Sequence, residues 1–231
     1  IIALDCGIKA IEKVDYAKKL GIDFIICDHH TPDDELPQAV AVLDSKRSDC
    51  TYPYEHLSGC GVGFKLMQAF AQNNNIDFSR LKPLLDLVVV SIASDIVPIT
   101  GENRVLAYFG LKQLNENPRL GLKSIINLCG LANKDITISD IVFKIGPRIN
   151  ASGRIQSARE VVELLVSRDA DFAREKSDCI NNYNDERRNI DKQTTEEAKL
   201  LLGEIAQEQA SIVIYNPEWH KGIVGIVASR L

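Results

Sequence analysis

Residues 25–34 read Ile25-Ile26-Cys27-Asp28-His29-His30-Thr31-Pro32-Asp33-Asp34, a short apolar run that breaks abruptly into three ionisable side chains. Ile25, Ile26 and Cys27 read as a buried parallel strand, and in open α/β sheets ligands bind in the crevice beyond the carboxyl ends of such strands. Upstream, IIALD is a second apolar run closed by a carboxylate, Asp5. Between the two runs Ile8, Ile11, Val14 and Ala17 recur at helical spacing, with Gly21 as a stop signal. A strand–helix–strand unit of this length crosses over right-handedly, which sets the two strand ends, and so Asp5, Asp28 and His29, side by side. Downstream, AVAVLD over residues 39–44 reads as a third strand ending in Asp44. Strands alternating with helices predict a doubly wound, mostly parallel α/β sheet.

An aspartate followed by two histidines offers one hard oxygen and two imidazoles. That mixture suits Mn2+, Zn2+ or Fe, and Mg2+ if carboxylates dominate the rest of the site. Taken alone, the triplet leaves open a plain polar strand exit with solvated histidines.

The chain has 231 residues, enough for one large domain or for one domain and the start of another. Its 45% hydrophobic and 26% charged residues match an ordinary globular balance, and no apolar run approaches the roughly 20 residues that a membrane helix needs. Six cysteines are scattered without CxxC spacing, which points to free thiols in a reducing cytoplasm and away from a zinc ribbon. The chain opens inside a strand, without an initiator Met, and stops inside a helical pattern, so it reads as an excised fragment. A formal charge of −5 argues mildly against bulk attraction to nucleic acid, but aspartates that hold cations inflate that count.

Further along, LSGCGVGFKLMQAFAQ reads as a glycine-rich turn opening a helix that carries Phe64, Leu66, Met67 and Phe70. Glycines there would let backbone N–H groups approach an anion, although tight packing alone would also account for Gly59, Gly61 and Gly63. PLLDLVVVSIASDIVPIT is apolar all round and ends near Asp95, a carboxylate that needs a partner: a metal, a cap or Arg104. Two further helices are expected, with Leu106, Phe109, Leu111 and Leu114, and with Leu122, Ile125, Ile126 and Leu128, as their core faces. GPRINASGR is expected to be a turn of small residues presenting Arg148 and Arg154, side chains shaped for bidentate phosphate contact. Salt bridges tying two layers together are the other reading of that pair. After SAREVVELLVS, a charged helix from Asp169 to about residue 206 reads as a connector between two bodies, its Arg187, Arg188 and Lys192 forming a solvated face or, as the lesser reading, lining a nucleic-acid path. ASIVIY then reads as a strand, and WHKGIVGIVASRL as a turn into a helix where His220, Gly222 and Gly225 could hold a phosphate or a base.

With these stretches assembled, the chain resembles the DHH phosphoesterase family, and within it the single-strand-specific exonucleases. The motifs that carry the resemblance are LDCG, CDHH, LSGCGVGFKL, ASDIVP, GPRINASGR and WHKGIVGIVASRL, in family order from end to end. The resemblance implies a catalytic domain over residues 1–168, a connector helix over 169–208 and the start of a smaller substrate-binding α/β domain at 209–231. It implies two divalent cations, Mn2+ or Mg2+. Asp5 would bridge them, His29 and Asp95 would bind one, Asp28 would lie at or beside them, and His30 would face the scissile phosphate. Gly59 and Gly61 fall in a phosphate-approach position. Arg148, Asn150, Ser152, Gly153 and Arg154 match the substrate-contact motif, and His220, Gly222 and Gly225 match the second domain's nucleic-acid signature.

The same resemblance implies a cytoplasmic enzyme of DNA repair and recombination that removes nucleotides from the 5′ end of single-stranded DNA. A helicase and a single-strand-binding protein are partners it would admit, and no membrane is involved. The family's first motif, an aspartate-rich strand end upstream of LDCG, is not in the chain. The fragment alone is therefore expected to hold at most a partial metal site and to be inactive. Two other readings stand beside this one: a relative acting on short RNA, cyclic dinucleotides or pyrophosphate, and a non-catalytic replication-factor relative. Retention of Asp5, Asp28, His29, His30 and Asp95 argues against the last, since a scaffold has no need of converging ligands.

Overall fold

The computed structural model describes residues 1–203 and 211–231. In chain order the elements are β1 (Ile2–Leu4), α1 (Ile11–Lys19), β2 (Ile25–Cys27), β3 (Ala41–Leu43), α2 (Gly59–Asn73), α3 (Leu85–Ser94), α4 (Gly101–Glu116) and α5 (Leu120–Leu128). There follow α6 (Ile138–Asp140), a π-helical turn (Ile141–Ile145), α7 (Gly146–Ile155), α8 (Ala158–Val166), α9 (Ala170–Leu202) and α10 (Lys221–Ala228). The chain folds as two compact units, one of Ile1–Arg119 with Asn133–Gly146, the other of Leu120–Ala132 with Pro147–Leu231.

The first unit is built on a parallel sheet in the order β1-β2-β3, with Leu4 opposite Cys27 and Cys27 opposite Leu43. Mixed α/β architecture with a parallel sheet is what the alternating pattern predicts. In register, the residues that follow the strands, Asp5, Asp28 and Asp44, emerge along one edge of the sheet. Ile26 and Cys27 are fully buried, and Ile8, Val14 and Ala17 cover them from the crossover, Ile8 from the turn ahead of α1. Helix α3 is apolar on every side because it is enclosed: Val88, Val89, Ile92 and Ala93 are all at 2% exposure or less. It packs most extensively on α4, where Gly110 lets the two backbones meet; a methyl there would lie 2.6 Å from the Leu85 carbonyl and from Val89. Buried Asp86 is held by Arg119 at 2.7 Å, which satisfies a charge that would otherwise be costly to enclose.

The second unit is helical in its described residues. Helix α9, about 50 Å long at 1.5 Å per residue, packs on α5 and α8 and on α10. Lys176 reaches Glu160 of α8 at 3.4 Å, while further along Glu197 accepts from the Trp219 indole at 2.8 Å. Ala198, Ile223 and Val227 form a small core between α9 and α10.

Several expectations are corrected here. Gly59, Gly61 and Gly63 lie within α2 and not in a turn; Ser58 caps the helix, accepting from the Gly61 N–H. GPRINASGR is helical throughout, with α7 following directly on the π-helical turn and Pro147 just past that junction. Phe109 is 51% exposed and Leu128 is 37% exposed, so neither belongs to a core face. The helix from Asp169 packs against α5, α8 and α10 within the second unit; these contacts leave the expected bounds at 168 and 208 untouched. Residues 211–215 of ASIVIY form no strand, with Val213 94% exposed. Ala210 and the end of the expected connector lie outside the described residues.

Candidate metal centre

Parallel pairing positions the site. The Asp5 N–H still donates to the Cys27 carbonyl at 2.9 Å, and the Asp28 N–H to the Leu43 carbonyl at 2.9 Å, so both residues sit just beyond the last rungs of the ladder. Asp5 turns out of β1 with φ 62°, a left-handed conformation that Asp tolerates better than most residues. Its Oδ1 lies 3.0 Å from Nε2 of His29. Asp95, which caps the C-terminus of α3, brings Oδ2 to 3.9 Å from the same nitrogen. The next residue, Ile96, is held at φ 55°, a strained conformation for a β-branched side chain and one that turns the chain away directly after Asp95.

These groups are held very differently. Asp28 is 1% exposed, and its carboxylate accepts from the N–H groups of Ile8 at 2.9 Å, His29 at 2.8 Å and His30 at 3.3 Å, and meets His30 Nδ1 at 2.7 Å. Burial pushes this carboxyl up, but the hydrogen bonds from Ile8, His30 and His29 together outweigh it and hold it below the ordinary carboxylate range. Asp28 thus shapes the loop and orients His30 beside Asp5, His29 and Asp95. One ligand atom each from Asp5, His29 and His30 lies within 4.8 Å of the others, and the two imidazole rings stand edge to face at 4.7 Å. Burial first, and then the neighbouring charge of Asp5, push the Asp95 carboxyl up.

A divalent cation fits this donor set. Two carboxylates crowd one imidazole nitrogen, a like-charge arrangement that a cation neutralises, and the mixed oxygen and nitrogen ligands are those that Mn2+ accepts.

Two features escaped the sequence. Gly59 provides the slot in which Asp5 lies: a Cβ there would fall 2.1 Å from Asp5 Oδ1 and 2.6 Å from Asp5 Cβ. Asp44 is buried beside the site, its Oδ2 without a hydrogen-bond partner among the described residues, and burial pushes its carboxyl up. Nδ1 of His29 is likewise buried and without such a partner. The β-strand register was the available signal for Asp44; nothing in the glycine pattern distinguished Gly59 from Gly61, whose added Cβ would meet Ser58 Oγ at 3.3 Å and Leu57 at 3.6 Å.

The remaining candidates lie in the second unit. Arg148 Nε donates to Asn181 Oδ1 at 3.0 Å, and Arg154 Nη1 to the Gly222 carbonyl at 3.0 Å, which ties α7 to the start of α10. Asn150 and Gly153 are exposed, whereas Ser152 is fully buried and donates to the Ser157 carbonyl at 2.9 Å. His220 is the N-cap of α10, its Nδ1 accepting from the Gly222 N–H at 3.2 Å; Gly225 lies on the exposed side of that helix.

Residues 1–92 match the DHH family, N-terminal domain. Over its whole length the chain is 39% identical to the single-stranded-DNA-specific exonuclease RecJ of Bacillus subtilis, of which it covers 29%, and 33% identical to that of Escherichia coli, of which it covers 42%. Among solved structures, RecJ in complex with Mn2+ from Thermus thermophilus superposes on 99% of the chain with a TM-score of 0.87 at 28% identity, the chain covering 34% of it. The Mg2+ complex of RecJ from the same organism gives 0.79 at 26% identity, with 99% of this chain and 32% of that one covered. Residues 1–92 are thus similar to the DHH family's N-terminal domain, and RecJ exonucleases are relatives along the chain's full length, while the chain spans less than half the length of these curated relatives.

Proposed function

We propose that a full-length protein carrying this chain is a metal-dependent phosphodiesterase that degrades single-stranded DNA from its 5′ end, in DNA repair and recombination. The observation that carries the reading is the convergence of Asp5 and Asp95 on Nε2 of His29 at the sheet edge, together with relatives named as single-stranded-DNA-specific exonucleases. Asp5, His29 and Asp95 would hold Mn2+ or Mg2+, the ions present in the structural relatives. When bound, a pair of such cations supplies the charge that lowers the pKa of an attacking water and neutralises the phosphate.

The chain's own groups do the positioning. Asp28 accepts from His30 Nδ1, fixing the tautomer and leaving Nε2 of this half-exposed ring to meet a phosphate oxygen or to protonate the leaving oxygen. Arg148, Arg154 and Asn150 would contact the strand, with Gly153 and Gly222 allowing close approach and His220 fixing the start of α10. Ser152, whose hydroxyl is spent inside the helix, keeps α7 in place. Gly59 acts on Asp5, and Gly61 admits the Ser58 cap.

We further propose that residues 1–168 form the catalytic domain, that α9 is the connector, and that residues from 209 open a second domain. A cytoplasmic location agrees with six free cysteines and with the lack, among the described residues, of a helix long and apolar enough to cross a membrane. A helicase and a single-strand-binding protein are proposed partners.

The test is to incubate the full-length protein with Mn2+ or Mg2+ and 5′-labelled single-stranded or duplex DNA, beside His29→Ala. Release of 5′ nucleotides from the single strand alone, abolished in the variant, is expected. Equal degradation of both DNAs, or an active variant, overturns the reading; turnover of a dinucleotide without DNA would favour the small-substrate relative.

A further inference from the structure

Helix α9 carries on its face toward α10 a groove lined by five cations and three carboxylates, on a chain of net charge −5. Arg187, Arg188, Lys192 and Arg230 are among the cations. The carboxylate best placed to balance them, Asp191, is buried and already engaged by Arg230 Nη1 at 2.8 Å. Arg187 is partly buried. Its Nη2 donates to Asn184 Oδ1 at 3.2 Å, and its Nε is enclosed with no hydrogen-bond partner among the described residues. An enclosed guanidinium without a full set of acceptors is costly, and a planar fork of donors matches phosphate oxygens best. Burial pulls its pKa down first; of the charges around it, Asp191 opposes this, while Arg154, Arg188 and Arg230 add to it. Arg154 belongs to the GPRINASGR stretch and Arg230 to the α10 stretch, so two separately read motifs meet the connector helix here.

We propose that the α9–α10 groove, centred on Arg187 with Arg188, Lys192 and Arg230, is a binding subsite for a backbone phosphate of single-stranded nucleic acid. It rests on the reading of the protein as a single-strand nuclease, but its chemistry is independent of any metal. The subsite grips the backbone and reads no base, so binding there is insensitive to sequence and sensitive to salt.

Binding of a fluorescein-labelled oligothymidylate to the full-length protein is measured by anisotropy, in EDTA and at several NaCl concentrations. Arg187→Gln is expected to weaken binding about tenfold and to reduce the salt slope by about 0.7, the value of one single-strand phosphate contact. Arg174→Gln, exposed roughly 20 Å from Arg187 toward the N-terminus of α9, leaves both unchanged. Circular dichroism reports folding; should Arg187→Gln not fold, exposed Arg188→Gln carries the test, with an expected severalfold loss. Wild-type affinity and slope in the folded variant overturn the subsite. If the wild-type protein binds no oligonucleotide, the single-strand reading falls, and the groove is judged by inorganic phosphate alone: a saturable shift of the Arg187 Nε resonance identifies a free-phosphate site, and its absence overturns the proposal.

Discussion

The edge of the sheet in the first unit and the α9–α10 groove in the second are both concentrations of charge, but they are held in opposite ways. At the sheet edge the charged groups are short side chains whose backbones are fixed by the ladder. Asp5 and Asp28 each donate an N–H to the adjacent strand, and three backbone N–H groups hold the Asp28 carboxylate in return. In the groove the charges end long side chains on a helix face, several of them exposed. Short side chains on a rigid frame can meet the narrow geometry a metal demands, whereas long ones form a charged surface suited to a mobile phosphate backbone. Substitutions at the first should therefore act steeply and together, and at the second singly and by degrees.

The largest effect that would sharpen this contrast is at Asp28. Replacing it by Ala leaves the N–H groups of Ile8 and His29 unpaired in a buried loop and frees the His30 ring. A loss of about 1–3 kcal/mol in chemical denaturation is expected, with a roughly 10- to 100-fold fall in activity of the full-length protein. Arg154→Gln, by contrast, is expected to weaken strand binding only severalfold; an equal collapse at both positions would break the comparison.

Gly59→Ala comes next. A methyl group cannot share the slot with Asp5, so the carboxylate must swing away from His29. About tenfold weaker Mn2+ binding is expected, while Gly61→Ala, on the same helix, changes it little. Calorimetric titration of the two variants side by side decides whether the slot matters or only the helix.

The smallest effect concerns Asp140, whose carboxylate closes a capping box with Thr137 and pairs with Lys144 at 2.8 Å. Lys144 first, then Thr137, lower its pKa to about 2. A depressed carboxyl contributes stability above its unfolded pKa and loses it as pH falls through the folded value. Asp140→Asn should thus flatten the decline of thermal stability between about pH 4 and pH 2, by a small amount because the group is exposed to solvent screening.

The sheet was legible because each strand is a short apolar run ended by an aspartate, and the crossover rule then placed Asp5 beside His29 without any contact information. Asp95 was legible for a different reason: a helix with no polar face must be enclosed, and the first charge at its end must have a partner. What stayed hidden depended on neighbours distant in sequence. Buried positions of α9, Ala173, Ser177, Ile180, Asn184, Asp191, Thr194 and Ala198, fall at helical spacing along one face, but most are small or polar, so a count of apolar residues misses the stripe. Gly146 and Pro147 looked like a turn because neither is favoured inside a helix; only the structure shows the helical run passing through them behind a π-helical turn.

The claim beneath all of this is that Asp5, His29 and Asp95 form a metal centre. Mn2+ binding to the full-length protein, followed by electron paramagnetic resonance beside His29→Ala, tests it directly. Saturable binding that is weakened at least about 100-fold in a variant with an unchanged circular dichroism spectrum is the predicted result; equal binding by both proteins would contradict it.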